Sequence, residues 1–357
     1  MIVIKIGTNV LSADDGSIDL DTLQSIVRQI SQLKAKGEKI IMVSSGAVGA
    51  GRKEVKLTKP LNRVAKRQLW AAIGQPILLQ HYMRLFAGHG LHVAQILATK
   101  EDFRDRKHYL HMRNCFNALL AENVIPIVNE NDTIAVDELM FTDNDELAGL
   151  VAGMMSAHSL YILTNVDGVF SGNPAEENAS LIRQVDPEQS PNLRFSSSDK
   201  SSFGRGGMAT KFRISRRLAS LGIEVFIFNG KKDDVILRLH EGEQIGTHFL
   251  RQSNISSVKK WIAYQDRSAQ GSVIVNEGAK AALLNQRKAA SLLPVGITKI
   301  GAQFEKGDLI NVFDTQGNVI ALGKAQYGSD TLGKHLGHNG QKPLIHYDYL
   351  VITYERS

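Results

Sequence analysis

Short runs rich in valine and isoleucine alternate with longer stretches of helical periodicity through the first 240 residues of the chain. The runs Ile2–Ile6, Lys39–Val43, His92–Leu97, Val124–Val128, Leu160–Leu163 and Glu224–Phe228 are mostly apolar on both faces. Strands of a parallel sheet covered by helices on either side have that pattern. Between them, Leu20–Lys36, Asn62–Gly88, Lys107–Glu122, Glu146–Ala157 and Met208–Leu221 repeat their apolar residues at helical spacing. In the first of these, Leu23, Ile26, Val27, Ile30 and Leu33 form one face, and Lys36-Gly37 marks its end. Strand–helix alternation of this kind predicts an α/β fold: a doubly wound, mostly parallel sheet with ligands at the carboxyl ends of its strands.

After about residue 250 the pattern changes to short alternating runs punctuated by glycine, at Ser272–Val275, Leu309–Phe313, Val319–Leu322 and Leu350–Thr353. With one helix near Ala279–Gln286, this predicts a small β-rich domain. The polar segment Arg251–Ser257 reads as a linker, so the expected domains span 1–250 and 258–357. Ser196–Ser202 reads as a mobile loop.

Composition narrows the classes. The 357 residues are 43% hydrophobic and 22% charged, as in ordinary globular proteins, and exceed what one core usually organises. The longest apolar stretch, Leu147–Met155, falls far short of the ~18 residues of a membrane span. Cys115 is the sole cysteine, so no intramolecular disulfide forms. The chain starts directly on a strand pattern without an export signal, and the two features together predict the cytoplasm. Residues 258–357 hold 12 Lys and Arg against 8 Asp and Glu, a mild basic surplus that suits a solvated surface or contact with RNA.

Six segments carry candidate chemistry, each beside a predicted strand end or helix start. Lys5 stands inside an apolar strand just before Gly7, and a buried lysine needs an anionic partner, either structural or a phosphate. Ser44-Ser45-Gly46-Ala47-Val48-Gly49-Ala50-Gly51 follows a strand; its small residues allow close backbone approach to an anion, or simply a tight turn. Asn129-Glu130-Asn131-Asp132 and Asp143-Asn144-Asp145 gather carboxylates and amides that suit an ammonium group, a Mg²⁺ ion or a helix cap. Gly204-Arg205-Gly206-Gly207-Met208-Ala209-Thr210-Lys211 opens a helix with consecutive backbone N–H groups and a lysine one turn in, a cradle for phosphates. Leu163-Thr164-Asn165-Val166-Asp167-Gly168-Val169-Phe170 follows another strand, as an adenosine-side loop or a turn.

Taken in order, KIGTNVL, VSSGAVGAG, NENDTIA, TDNDELA, LTNVDGVF and GRGGMATK resemble the amino acid kinase family. VNEGAKAAL, SLLPVGI and GAQFEKGD near the C-terminus are similar to a PUA domain. The resemblance implies transfer of a phosphoryl group from ATP, with Mg²⁺, to the γ-carboxylate of L-glutamate as the first step of proline biosynthesis. It implies catalytic roles for Lys5 and Lys211, with Asp145 positioning them. It implies ATP contacts from Lys5, Thr164, Asn165, Arg205, Gly206, Gly207, Met208, Ala209, Thr210 and Lys211. Glutamate contacts fall to Ser45, Asp132 and Asn144, and no protein ligand is assigned to the metal. Asn165 stands where the family usually has aspartate and Arg205 where it usually has threonine. The resemblance further implies a homo-oligomer and proline as a feedback inhibitor. Two alternatives stay open: a kinase of another acid such as aspartate, and an RNA-binding protein built around the C-terminal domain.

Overall fold

All five residues of the first strand, Ile2–Ile6 (β1), are buried, which places it in the middle of a sheet rather than at its margin. The computed structural model describes residues 1–13, 15–104, 106–135, 141, 143–172, 179–187, 207–252, 269, 271–285 and 290–352. The expected loop Ser196–Ser202 and residues 253–257 of the expected linker lie outside that set. The chain divides into two compact units, Met1–Asn254 and Ile255–Ser357.

In the first unit β1 pairs in parallel with Ile40–Ser44 (β2) and, on its other side, with Ser159–Thr164 (β5). Lys5 therefore lies between Val43 and Ile162. The sheet is completed by Val93–Ala98 (β3), Ile125–Glu130 (β4), Gln184–Val185 (β6), Glu224–Asn229 (β7) and Thr247–Phe249 (β8), in the order β3-β4-β2-β1-β5-β7-β8-β6. Neighbouring pairs are parallel except β7 with β8. The predicted doubly wound, mostly parallel sheet is the one found, and helices cross over between its parallel strands. Strand β3 departs from the expectation of two buried faces: Gln95 and Leu97 are exposed, because the strand lies at the sheet margin with β4 as its one neighbour. The antiparallel β8 was not foreseen; three residues give too short a run to register as a pattern.

Two helices follow the loop after β2. Gly46 has φ 108°, a conformation that glycine adopts without steric penalty, and from there the chain turns directly into the helix Ala47–Glu54. That helix packs against Arg63–Ala87, a long helix capped by Asn62, whose Oδ1 accepts from the Ala65 N–H at 2.8 Å. The backbones approach so closely that a Cβ on Gly74 would lie 1.8 Å from the Ala47 carbonyl oxygen. Alanine normally favours a helix over glycine by about 1 kcal/mol, but here the clash is with backbone and cannot be relieved by a rotamer change. Gly74→Ala should accordingly lower the melting temperature by several degrees, measured by thermal unfolding. An unchanged value would contradict the packing described.

The second unit is a five-stranded sheet of Gly271–Val275 (β9), Ile297–Ala302 (β10), Leu309–Phe313 (β11), Val319–Lys324 (β12) and Leu350–Ile352 (β13), in the order β10-β9-β11-β12-β13. Val273, Ile310, Val312, Ile320 and Ile345 build its own core. The helix expected at Ala279–Gln286 runs over Glu277–Leu284, starting earlier because the Asn276 side chain caps it through the Ala279 N–H. Strand β10 and the helix Ser329–His335 were not foreseen. Among the described residues no helix is long and apolar enough to cross a membrane.

Candidate active site

Parallel strands direct their carboxyl ends to one edge of the sheet, and there β1, β2, β4 and β5 deliver Lys5, Ser44-Ser45, Asn129-Glu130 and Thr164. The helices Asn144–Met154 and Met208–Ser220 begin at the same edge. Together they line a cavity of about 1160 Å³. Of the residues singled out from sequence, Lys5, Ser45, Asp132, Asn144, Asp145, Thr164, Asn165, Gly207, Met208 and Lys211 all line it. Ala209 and Thr210 do not, since the helix turns them away from the opening, and Arg205 and Gly206 lie outside the described residues.

At its centre the Asp145 carboxylate, entirely buried, joins two lysines from distant parts of the chain. Oδ1 lies 2.6 Å from the Lys5 ammonium and Oδ2 lies 3.0 Å from that of Lys211. Burial alone would push the Asp145 carboxyl up, but the two ammoniums outweigh it and hold the group well below the usual carboxylate range. Burial likewise works against the charge on Lys211, and Asp145 with Asp143 reverses this, raising it above an ordinary lysine. Asp145 was expected just ahead of its helix; it is instead the second helical residue. The cap is Asp143, whose Oδ1 accepts from the N–H groups of Asp145 at 3.0 Å and Glu146 at 3.1 Å. Burial and the Asp145 charge push Asp143 up to about 6, and its Oδ2 is buried with no hydrogen-bond donor among the described residues.

A chain of amides fixes the neighbouring Ser45. The Asn144 Nδ2 group donates to Ser45 Oγ at 2.9 Å and to Asn129 Oδ1 at 2.8 Å, while Asn129 donates to Gln75 Oε1 at 2.8 Å. Beneath them the Tyr82 hydroxyl meets Ser44 Oγ at 2.8 Å, both buried. Asn129 was singled out only within the amide-rich segment Asn129–Asp132, and Gln75 and Tyr82 not at all.

A third cluster in the cavity wall centres on Arg67. Arg67 donates to Asp132 Oδ1 from Nε at 2.6 Å and also from Nη2, and Nη2 reaches Glu130 Oε2 at 2.8 Å. Arg67 was missed because the start of its helix holds four cationic residues, Arg63, Lys66, Arg67 and, just before it, Lys59, with nothing in the spacing to choose among them. Burial pushes Glu130 up to about 7, with the Asp132 charge adding to it. A carboxyl whose folded value lies above its ordinary 4.5 keeps its proton in the native state longer than in the unfolded one. Its contribution to stability is therefore present below about 4.5 and lost as pH rises to about 7. Glu130→Gln retains an oxygen for the Phe141 N–H, 2.7 Å away in the native protein, and should flatten the fall in melting temperature across that pH window. A wild-type slope in the variant would contradict the assignment.

The pattern of the amino acid kinase family matches residues 1–229, and that of the PUA domain matches residues 271–346. The glutamate 5-kinase of Bacteroides thetaiotaomicron is 46% identical over 355 residues, covering 98% of each chain. That of Chlorobaculum tepidum is 44% identical over 352 residues, covering 99% of this chain and 97% of its own. Among solved structures, the isopentenyl phosphate kinase of T. acidophilum in its product complex superposes with a TM-score of 0.51 at 18% identity, covering 70% of this chain and 99% of that one. That last similarity is one of fold.

Proposed function

The chain belongs to the amino acid kinase family and carries a C-terminal PUA domain, and from that premise we infer that it transfers the γ-phosphoryl group of ATP to the γ-carboxylate of L-glutamate, giving L-glutamyl 5-phosphate and ADP. Relatives of near-identical length that share over two fifths of its residues bear the name of that activity. The observation that carries the chemistry is the pair of ammonium groups held on one buried carboxylate at the mouth of the sheet.

The acceptor carboxylate is already ionised near neutrality, since such a group titrates near ~4.3, so no general base is required. The barrier is repulsion between an anionic nucleophile and an anionic triphosphate. Two unit charges ~4 Å apart interact by roughly 4 kcal/mol at an effective dielectric near 20. Lys5 and Lys211 offset that repulsion and stabilise the oxygens of the transferring group, which gains nothing from covalent help. An ammonium has three N–H donors, more than one oxygen of Asp145 uses, so Asp145 can aim the lysines without consuming them. Thr164, Asn165 and the start of the Met208–Ser220 helix take the nucleotide, while Ser45, Asn144 and Asp132 take the acceptor.

A divalent ion, Mg²⁺, belongs on the phosphates. Among the described residues no group of three or more His, Cys, Asp or Glu side chains could cage a metal. Mg²⁺ commonly keeps phosphate and water oxygens and takes only one or two carboxylates, and the unsatisfied Oδ2 of Asp143 fits that demand. When bound, the ion would neutralise charge on the triphosphate. Placement at the entry to proline biosynthesis in the cytoplasm, assembly as a homo-oligomer and feedback by proline follow from the family resemblance and enter the proposal on that footing. RNA contact through the PUA domain is a secondary possibility of the same origin.

An acceptor panel tests the assignment. With ATP and Mg²⁺, ADP release and hydroxylamine trapping of the acyl phosphate should favour glutamate over aspartate in kcat/KM by roughly 100-fold, the upper end of what one methylene confers. Equal rates, or ADP release without a trapped hydroxamate, would overturn it.

A further inference from the structure

The Arg67 guanidinium is held on the acceptor side of the cavity by two acids at once, and its bonding is incomplete. One Nε proton and both Nη2 protons go to Asp132 and Glu130. A guanidinium has five N–H donors, so the two on Nη1 are left, and among the described residues none accepts from them. The side chain is 26% exposed and lines the cavity, so these donors are not sealed in protein. Two buried carboxylates fix the plane of the fork, which removes most of the ordering entropy that an anion would otherwise have to overcome on binding.

Asp132 and Arg67 thus present a negative and a positive group in direct contact, facing a space that takes an amino acid. An α-amino acid carries an ammonium and a carboxylate on a single carbon, the same two charges at the same close spacing with the signs reversed. We propose that Arg67 receives the α-carboxylate of the acceptor through Nη1 while Asp132 receives the α-ammonium, so that this pair reads the amino acid end and leaves the other carboxylate to the lysines. The proposal rests on glutamate being the acceptor. A lysine at this position would lack the fork, because one nitrogen would have to serve Asp132, Glu130 and the substrate together.

Arg67 is a binding residue in this account, and its test separates it from a residue that merely steadies Asp132. The full chain and its Arg67→Gln variant are assayed for glutamate KM and kcat by hydroxamate formation, and for inhibition by glutarate, which lacks the ammonium, and by γ-aminobutyrate, which lacks the α-carboxylate. Loss of a charged hydrogen-bonding partner should raise the glutamate KM and the glutarate inhibition constant by ~10–100-fold, with kcat within about 5-fold and the γ-aminobutyrate constant within about 2-fold of wild type. Arg67→Lys, which keeps the charge, should recover only part of the loss. Equal weakening of γ-aminobutyrate and glutamate would reduce Arg67 to a support for Asp132 and overturn the proposal, as would an unchanged glutamate KM. If the wild-type chain formed no glutamyl hydroxamate, the acceptor assignment itself would fail, an outcome distinct from either.

Discussion

Replacing Lys211 with alanine should lower kcat by at least ~10³-fold while changing the glutamate KM by only a few-fold. The split follows from what the ammonium does. It meets no acceptor group in the ground state that other residues do not also hold, but it faces the oxygens on which charge gathers as the phosphoryl group leaves ADP. Fixed donors aimed at developing charge in a cavity that excludes water are worth ~10²–10³ each, and Lys211 carries a full positive charge besides. The fold should survive, because Asp145 keeps Lys5 at 2.6 Å and is not left alone. Circular dichroism of the variant checks this. Lys211→Arg should recover little, since a planar fork does not reproduce a compact ammonium 3.0 Å from Asp145 Oδ2. Near-wild-type kcat in Lys211→Ala would remove Lys211 from the catalytic pair.

Asp145→Asn should be the most damaging neutral substitution for stability. Lys5 and Lys211 have side chains only 6% and 13% exposed, so both would stay buried while losing the carboxylate they share. Breaking a buried ion pair by removing one partner typically costs about 3–5 kcal/mol. In a unit of this size that corresponds to a fall in melting temperature of roughly 6–20 °C. With the Asp145 charge gone, burial would pull Lys211 down, and the alkaline limb of the rate profile should move to lower pH as its ammonium loses a proton. ATP, itself an anion, should restore more stability to the variant than it adds to the wild type. A melting temperature within two degrees of wild type would mean that Asp145 is not the keystone described (about 1 kcal/mol or less on the same scale).

Strand β1 was read from sequence to the residue, because Ile2, Val3, Ile4 and Ile6 leave no alternative to burial on both faces. Other strands were read short at their carboxyl ends. β2, β4 and β5 each run past the last apolar residue to Ser44, Glu130 and Thr164; Glu130 and Thr164 line the cavity, and Ser44 directly precedes Ser45, which also lines it. Hydrophobic periodicity stops where the sheet meets its ligand, so the pattern that finds the core is blind to the site. Lys5, Asp145 and Lys211 were legible through the family motifs, and their meeting on one carboxylate is what those motifs needed to make physical sense. Arg67, Gln75 and Tyr82 were not. All three lie on the helix Arg63–Ala87, where the choice of inward face depends on the close approach at Gly74 rather than on any local signal. Ala209 and Thr210 shared a motif with Lys211, yet helical geometry brings only part of each turn to the cavity. In the second unit, β10 runs through a lysine and a glycine and is largely exposed, which weakens any alternation.

The most direct measurement is a crystal structure of the chain with MgADP, glutamate and a planar metal fluoride in place of the transferring phosphoryl group. Both ammonium nitrogens, of residues 5 and 211, should lie within hydrogen-bonding distance of the fluorides while still touching Asp145. A fluoride group bound between nucleotide and glutamate with either ammonium turned away from it would contradict the account.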